Sequence, residues 1–252
     1  MSLEPHLLDI TVITILVAGT LVLYSYLKRK ISNSGFIGTL MLGTGILLTL
    51  GLEYSFAGLL ALMSFFLFGN LVTKYKYETK ARLGVAEGNK GRRGINNVVG
   101  NGLSPLIFAI LYALSSDNTI FLLGFSGSVA TACADTFSTE IGQAYGKPRL
   151  ITTLKKVPVG TSGGVSLWGL GAALLGSFLV TLVCLTFGID IEWQIFFIIC
   201  LLAGFLGGIA DSILGATVED RKPLNLNKHH VNILATLFGG IFAIAMGYAL
   251  LI

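Results

Sequence analysis

The sequence predicts an all-α bundle of about eight transmembrane helices with both termini outside. Three observations carry this. The 252-residue chain is 54% hydrophobic and only 12% charged, against roughly 25% charged residues in soluble domains. It holds eight apolar runs near the ~20 residues that a bilayer span requires. All 17 Lys and Arg fall in alternate connections between those runs.

The first run, 7–27, has no basic stretch before it and is expected to be a retained helix, not a cleaved signal. The second (35–52) and fifth (120–137) are short, and the fourth (95–114) is polar at its start; these are expected to be tilted, broken or partly buried in protein. The third (54–72), sixth (165–187), seventh (193–214) and eighth (231–251) are long enough to span. One transmembrane domain over 1–252 follows, with 1–33 its least supported part. Glycine is abundant, at 32 residues, as suits helices whose backbones approach closely.

The connections set the orientation. Lys28, Arg29 and Lys30 lie in the first; the third, from Lys74 to Arg93, holds seven basic residues. Lys147, Arg149, Lys155 and Lys156 lie in the fifth, and Arg221, Lys222 and Lys228 in the seventh. The other connections and the termini carry only the acids Glu4, Asp9, Glu53, Asp117, Asp190 and Glu192. The basic side is therefore expected to be cytoplasmic. The net charge of +4 reflects this topology and does not suggest nucleic-acid binding. Cys133, Cys184 and Cys200 sit in apolar runs without metal-ligand spacing and read as inert buried thiols.

Acids on the basic side are more informative. Asp135 ends the fifth run in Ala134-Asp135-Thr136-Phe137-Ser138-Thr139-Glu140, and Asp211 lies near the inner end of the seventh. An acid at the centre of a membrane helix costs roughly 2.5 kcal/mol or more, less near the interface. It persists by facing a polar cavity, a partner charge or a metal; the plainer alternative is a cap or an interfacial acid beside a Lys. A 76-residue shift superposes Ala134-Asp135 on Ala210-Asp211 and Gly163-Gly164 on Gly239-Gly240. It suggests a parallel internal repeat that brings the two acids together. Asp135 and Glu140 would sit ~140° apart on a continuous helix, with Thr139 on the face of Asp135.

Arg92 and Arg93 precede a helix start carrying Asn97 and Asn101. Guanidinium forks and free helix N–H groups both suit phosphate, and Asn in the first turns of a span suggests a polar cavity. The fifth connection, Lys155-Lys156 through Thr161-Ser162-Gly163-Gly164, could turn amides and hydroxyls toward an anion. It does not match a Walker A loop. Asn232 is expected to reach the cavity, whereas His229 and His230 read as interfacial. Acids, cations and glycine turns on one membrane face suggest a metal–phosphate site. Carboxylates suit Mg²⁺, and the adjacent bilayer suggests a lipid as second substrate.

The runs from Ala134 to Gly142, Val157 to Ser166 and Asp211 to Ala216 resemble the three main motifs of the family containing transmembrane protein 19 and the plant phytyl-phosphate kinase of tocopherol synthesis. More distantly, the pattern is similar to CTP-using lipid kinases and CDP-diacylglycerol synthase. The resemblance implies a Mg²⁺-dependent kinase that transfers the γ-phosphoryl of a nucleoside triphosphate, CTP by preference, to an isoprenyl monophosphate. It implies Asp135, Glu140 and Asp211 as metal ligands, with Arg92 also catalytic. Arg93, Asn97, Asn101, Lys155, Lys156, Thr161, Ser162, Gly163, Gly164 and Asn232 are implied in binding phosphate or nucleotide. The partners expected are an isoprenyl-phosphate lipid, a nucleotide, membrane lipids and, optionally, a second copy in a homodimer. A prokaryotic plasma membrane is the expected location. A CDP-lipid-forming cytidylyltransferase and a non-enzymatic lipid transporter or flippase are the alternatives.

Overall fold

A computed structural model describes residues 5–115 and 118–251. Glu4 and Asp117 lie outside the described residues, as do the side chains of Asp9 and Lys90. The chain is all-α apart from one two-stranded ribbon. Helices α1 (Pro5–Leu27), α2 (Asn33–Lys74), α3 (Tyr77–Arg82), α4 (Gly88–Gly91), α5 (Ile95–Leu114) and α6 (Ile120–Tyr145) come first. Strands β1 (Arg149–Leu150) and β2 (Gly164–Val165) pair antiparallel before α7 (Leu167–Cys184), α8 (Trp193–Thr217) and α9 (Lys228–Leu251).

Seven of these helices are long and apolar enough to cross a membrane. The 42-residue α2 accounts for two crossings, because Gly51 breaks it (φ 65°, ψ −161°), a backbone geometry that glycine adopts without penalty. Residues 39–46 of the first arm and 62–69 of the second line the same cavity, so the arms fold back on each other. The expected boundary between the second and third spans is this hairpin. Glu53 is exposed at its tip.

The first turns of α2 and α7 are closed by hydroxyl caps. Ser32 accepts from the Gly35 amide and Ser166 from the Gly169 amide, each at 3.1 Å. Such a cap satisfies one of the amides that a helix start leaves unpaired.

Helix α6 is the axis of the bundle. It packs against α2, α5, α7, α8 and α9 and is buried along nearly its whole length. In lipid, helices associate by close packing and hydrogen bonding more than by the hydrophobic effect, which favours small residues at contacts. The buried face of α6 fits that rule with Gly124, Ser126, Gly127, Ala130, Thr131 and Ala134. Thr131 occupies the space that side chains at Gly207 and Gly239 would need; a Cβ there would stand 2.2 and 2.0 Å from its Oγ1. Its hydroxyl donates to the Gly127 carbonyl within α6 (2.8 Å) and reaches the Ala203 carbonyl of α8 (3.3 Å).

Two expectations change. The fifth span does not stop at Phe137: α6 runs eight residues further, through the whole Asp135–Glu140 segment, to Tyr145. The polar residues that suggested an end are accommodated because they face cavities and a buried cation, not lipid. The glycine pairs superposed by the 76-residue shift are not equivalent, since Gly163 and Gly164 precede α7 whereas Gly239 and Gly240 sit inside α9. The acids that the same shift superposes do come together.

Candidate active site

All four basic connections meet at one end of the bundle. Ser32 and Ser34 share a cavity with Glu87, Gly88, Arg92, residues 94–97 and His229. Residues 159–164, Ser166, Glu219 and Lys228 share another with Asp135 and Asp211. That second cavity, about 200 Å³, is predominantly polar and is the candidate site.

Asp135 on α6 and Asp211 on α8 stand with their carboxyl groups side by side, within hydrogen-bonding reach. Thr139, one turn along α6, donates from Oγ1 to Asp135 Oδ1 at 3.4 Å, so it does share the Asp135 face. Asp211 Oδ1 is buried with no hydrogen-bond partner. Ser138, Thr139 and Ser212 add hydroxyls to the lining, and Lys228, the first residue of α9, adds a cation. Lys228 also sits 3.9 Å from Glu87. Although burial acts to raise the Glu87 carboxyl, Lys228, the Asn97 amide and Arg93 together hold it below its ordinary value.

The opposite wall is the Thr161-Ser162-Gly163-Gly164 turn. Thr161 and Gly164 spend their amides on the carbonyls of Pro158 and Thr161, leaving the Ser162 and Gly163 amides without a backbone partner among the described residues. The turn is docked on the end of α8. Gly163 has φ 74°, and a Cβ there would stand 2.4 Å from Ala216 Cβ and 2.6 Å from the Ser212 carbonyl oxygen. Gly163→Ala is therefore expected to undock the turn at a cost of about 1–3 kcal/mol. Trypsin cleavage after the exposed Lys155 or Lys156 should rise about tenfold or more. Unchanged cleavage would show that the turn does not rest on α8.

Glu219 lies just past α8 and lines the same cavity. Burial raises its carboxyl above the ordinary value, against the lowering effect of a Ser162 hydrogen bond. A second, smaller cavity adjoins Asp135 and gathers Arg93, Asn97, Asn101, Glu140, His229 and Asn232. The Asn97 side chain donates to Glu87 Oε1 (2.9 Å), and Arg93 Nη2 donates to Thr73 Oγ1 (3.2 Å).

Not every expected residue joins the acid pair. Glu140, roughly 140° round the continuous α6 from Asp135, reaches the small cavity but not the acid pair, and forms a buried ion pair with Lys80 of α3. Lys80 Nζ also donates to the Thr73 carbonyl at 2.8 Å. No group of three or more His, Cys, Asp or Glu close enough to hold a metal exists among the described residues; of the three expected acids, Asp135 and Asp211 stand together and Glu140 stands with Lys80. Arg92 lines the cavity beside Ser32 and Ser34 and not the one with Asp135. Lys155 and Lys156 are exposed and line neither acid cavity. They lie in the connection between β1 and β2, where Lys156 bridges to Arg149.

Lys80, Glu87, Glu219 and Lys228 went unrecognised in the sequence. A signal existed for Glu219: Asp211, Gly215 and Glu219 follow at i, i+4 and i+8, one helix face. Lys80 offered none, being one of seven basic residues in its connection.

The family described as Integral membrane protein DUF92 matches residues 16–240 of the chain. An uncharacterized membrane protein of Methanocaldococcus jannaschii is 39% identical over 234 residues, 92% of each chain. Protein VTE6, chloroplastic, of Arabidopsis thaliana is 38% identical over 226 residues, 87% of this chain and 66% of that one. Protein PGR of the same plant is 32% identical, covering 82% of this chain and 78% of its own. No solved structure matches.

Proposed function

The chain belongs to the DUF92 family of integral membrane proteins, and from that premise we propose that it is a nucleoside-triphosphate-dependent kinase of an isoprenyl monophosphate. CTP is the proposed donor, and the basic, cytoplasmic end of the bundle is the proposed place of reaction. The observation that carries the reading is the Asp135–Asp211 pair facing the Thr161–Gly164 turn across a polar cavity. The motif resemblance to a family containing a phytyl-phosphate kinase points to the same chemistry.

The residues present fit Mg²⁺. Mg²⁺ takes one or two carboxylates, keeps several waters and binds the rest of its shell through substrate phosphates. Asp135 and Asp211 supply two carboxylates, with one oxygen of Asp211 buried and unpartnered. These two would hold the ion; Glu140, neutralised by Lys80, would position α6. When bound, Mg²⁺ supplies charge neutralisation on the phosphates that react.

The protein's own groups do the remaining work. Lys228 and Arg93 flank the acids and bind phosphate oxygens. Thr161 and Ser162 offer hydroxyls, and Ser162 and Gly163 offer amides, to the donor's phosphates. An oxygen of the prenyl monophosphate attacks the γ-phosphorus, the bond from that phosphorus to the β–γ bridging oxygen breaks, and CDP leaves with the electron pair. The acceptor is already an anion near neutral pH, so no general base is required. Catalysis is then positioning and electrostatic stabilisation.

Product analysis tests this reading. Purified protein given Mg²⁺, CTP and phytyl phosphate is expected to release CDP. Pyrophosphate release would make it a cytidylyltransferase. Movement of prenyl phosphate across vesicles without nucleotide turnover would make it a transporter.

A further inference from the structure

A chain of cavities leads from the acid site into the apolar side of the bundle. The small polar cavity beside Asp135 shares Arg93, Asn97 and Asn101 with a crevice of about 120 Å³ between the two arms of α2 and α5. Beyond those three residues the crevice is lined almost wholly by apolar groups, among them Leu42, Ile46, Leu62 and Phe65. It continues, through Thr39, Gly43 and Leu62, into a further apolar space of about 90 Å³ against α1. Ile46 lies 13 residues into α2, so the path runs roughly 20 Å from the polar end at a rise of 1.5 Å per residue.

The mouth of the crevice is chemically distinct from its body. The Arg93 guanidinium forms no ion pair among the described residues, and its side-chain hydrogen bond there is to the Thr73 hydroxyl. Asn101 Oδ1 is buried without a hydrogen-bond partner, while its amide donates to the Asn97 carbonyl. A buried, unspent acceptor is costly. The Arg93 guanidinium, free of any ion pair at the head of an apolar slot, suits an amphiphile with an anionic head, and the Asn101 oxygen, which can only accept, is left for a hydroxyl of that head group.

We infer that the α2–α5 crevice holds the hydrocarbon tail of the isoprenyl-phosphate acceptor, with Arg93, Asn97 and Asn101 at its phosphate end and Gly43 limiting how long a tail it takes. The inference rests on the proposed kinase reading for the class of ligand, and it deepens that reading by assigning the acceptor's place. The occupant is a single prenyl chain and not an ordinary bilayer lipid, because the crevice is one slot and its polar mouth opens onto the cavity of Asp135.

Gly43 makes the test clean. A Cβ at this position meets nothing within 4 Å, and Gly43 lines the slot, so the side chain of Gly43→Leu starts in open space and takes up room that the tail would use. The experiment uses the full chain in detergent with a farnesyl monophosphate carrying a diazirine in its tail, photolysed with and without excess unlabelled geranylgeranyl phosphate. Competable label is expected in peptides holding residues 39–46 and 62–66, and is expected to fall at least fivefold in G43L. Competable label on α7 or α8 instead, or no competable label anywhere, would overturn the inference. Turnover of geranylgeranyl phosphate against geranyl phosphate gives a second readout, with G43L expected to lower the first at least tenfold more than the second. The two failures separate. Crevice labelling without phosphoryl transfer to any acceptor would sink the kinase reading and keep the tail site. Transfer with label elsewhere would do the reverse.

Discussion

Replacing Asp135 or Asp211 by Asn is expected to remove phosphoryl transfer while making the empty protein more stable. The two carboxyl groups stand side by side, one Asp211 oxygen is buried unpartnered, and neither acid forms an ion pair among the described residues. Juxtaposed carboxylates that are incompletely compensated destabilise a fold, and a site can carry that cost when a cation is part of its function. Turnover should fall at least about a hundredfold, the scale of losing one preorganised electrostatic group. The melting temperature of the metal-free protein in detergent should rise by a few degrees, corresponding to about 1 kcal/mol for a chain of this size. Mg²⁺ should raise the melting temperature of the parent protein and not of either variant. Structural acids would behave oppositely, and a lowered melting temperature in both variants would contradict the assignment.

The second large effect is expected at Lys80. Its ammonium is fully buried, paired with Glu140 and bonded to the Thr73 carbonyl. Lys80→Met strands the Glu140 carboxylate in the interior, which costs about 3–5 kcal/mol. The double variant K80M/E140Q removes both charges and should recover most of that loss, because a buried pair often does no better than neutral groups of similar size. Equilibrium unfolding in detergent and denaturant measures the coupling. Additive effects would show that the pair is not formed. Activity adds a separate reading of Glu140. If E140Q alone abolished turnover and left stability unchanged, Glu140 would be a metal ligand as its place in the motif suggested.

The spans were legible because bilayer physics writes them directly: long apolar runs, and basic residues confined to one side. The break at Gly51 was visible as the interruption between the second and third runs. The end of α6 was not, since its polar residues look like an interface until neighbouring helices are known to surround them. Asp135 and Asp211 stood out as acids that apolar helices do not carry without reason. Their neighbours on other elements were harder. Lys228 and Glu87 are ordinary residues of charged connections, and only the convergence of those connections makes them part of a site. Lys155 and Lys156 are close to the glycine turn in sequence, but both are exposed and line neither acid cavity. Arg92 and Arg93 are adjacent in sequence, yet the short bridge from Ile31 to Arg93 fixes that segment so that the two line different cavities. The crevice along α2 left no trace in the sequence, because Leu, Ile and Phe read alike whether they face lipid, a neighbouring helix or a bound tail.

The most direct test of the central claim is transfer of label from γ-labelled CTP to phytyl phosphate by the purified protein with Mg²⁺, with D211N as control. A labelled prenyl diphosphate that forms with the parent protein and disappears with D211N is the predicted result. Absence of transfer from CTP and ATP alike, in protein that still unfolds cooperatively, would contradict it.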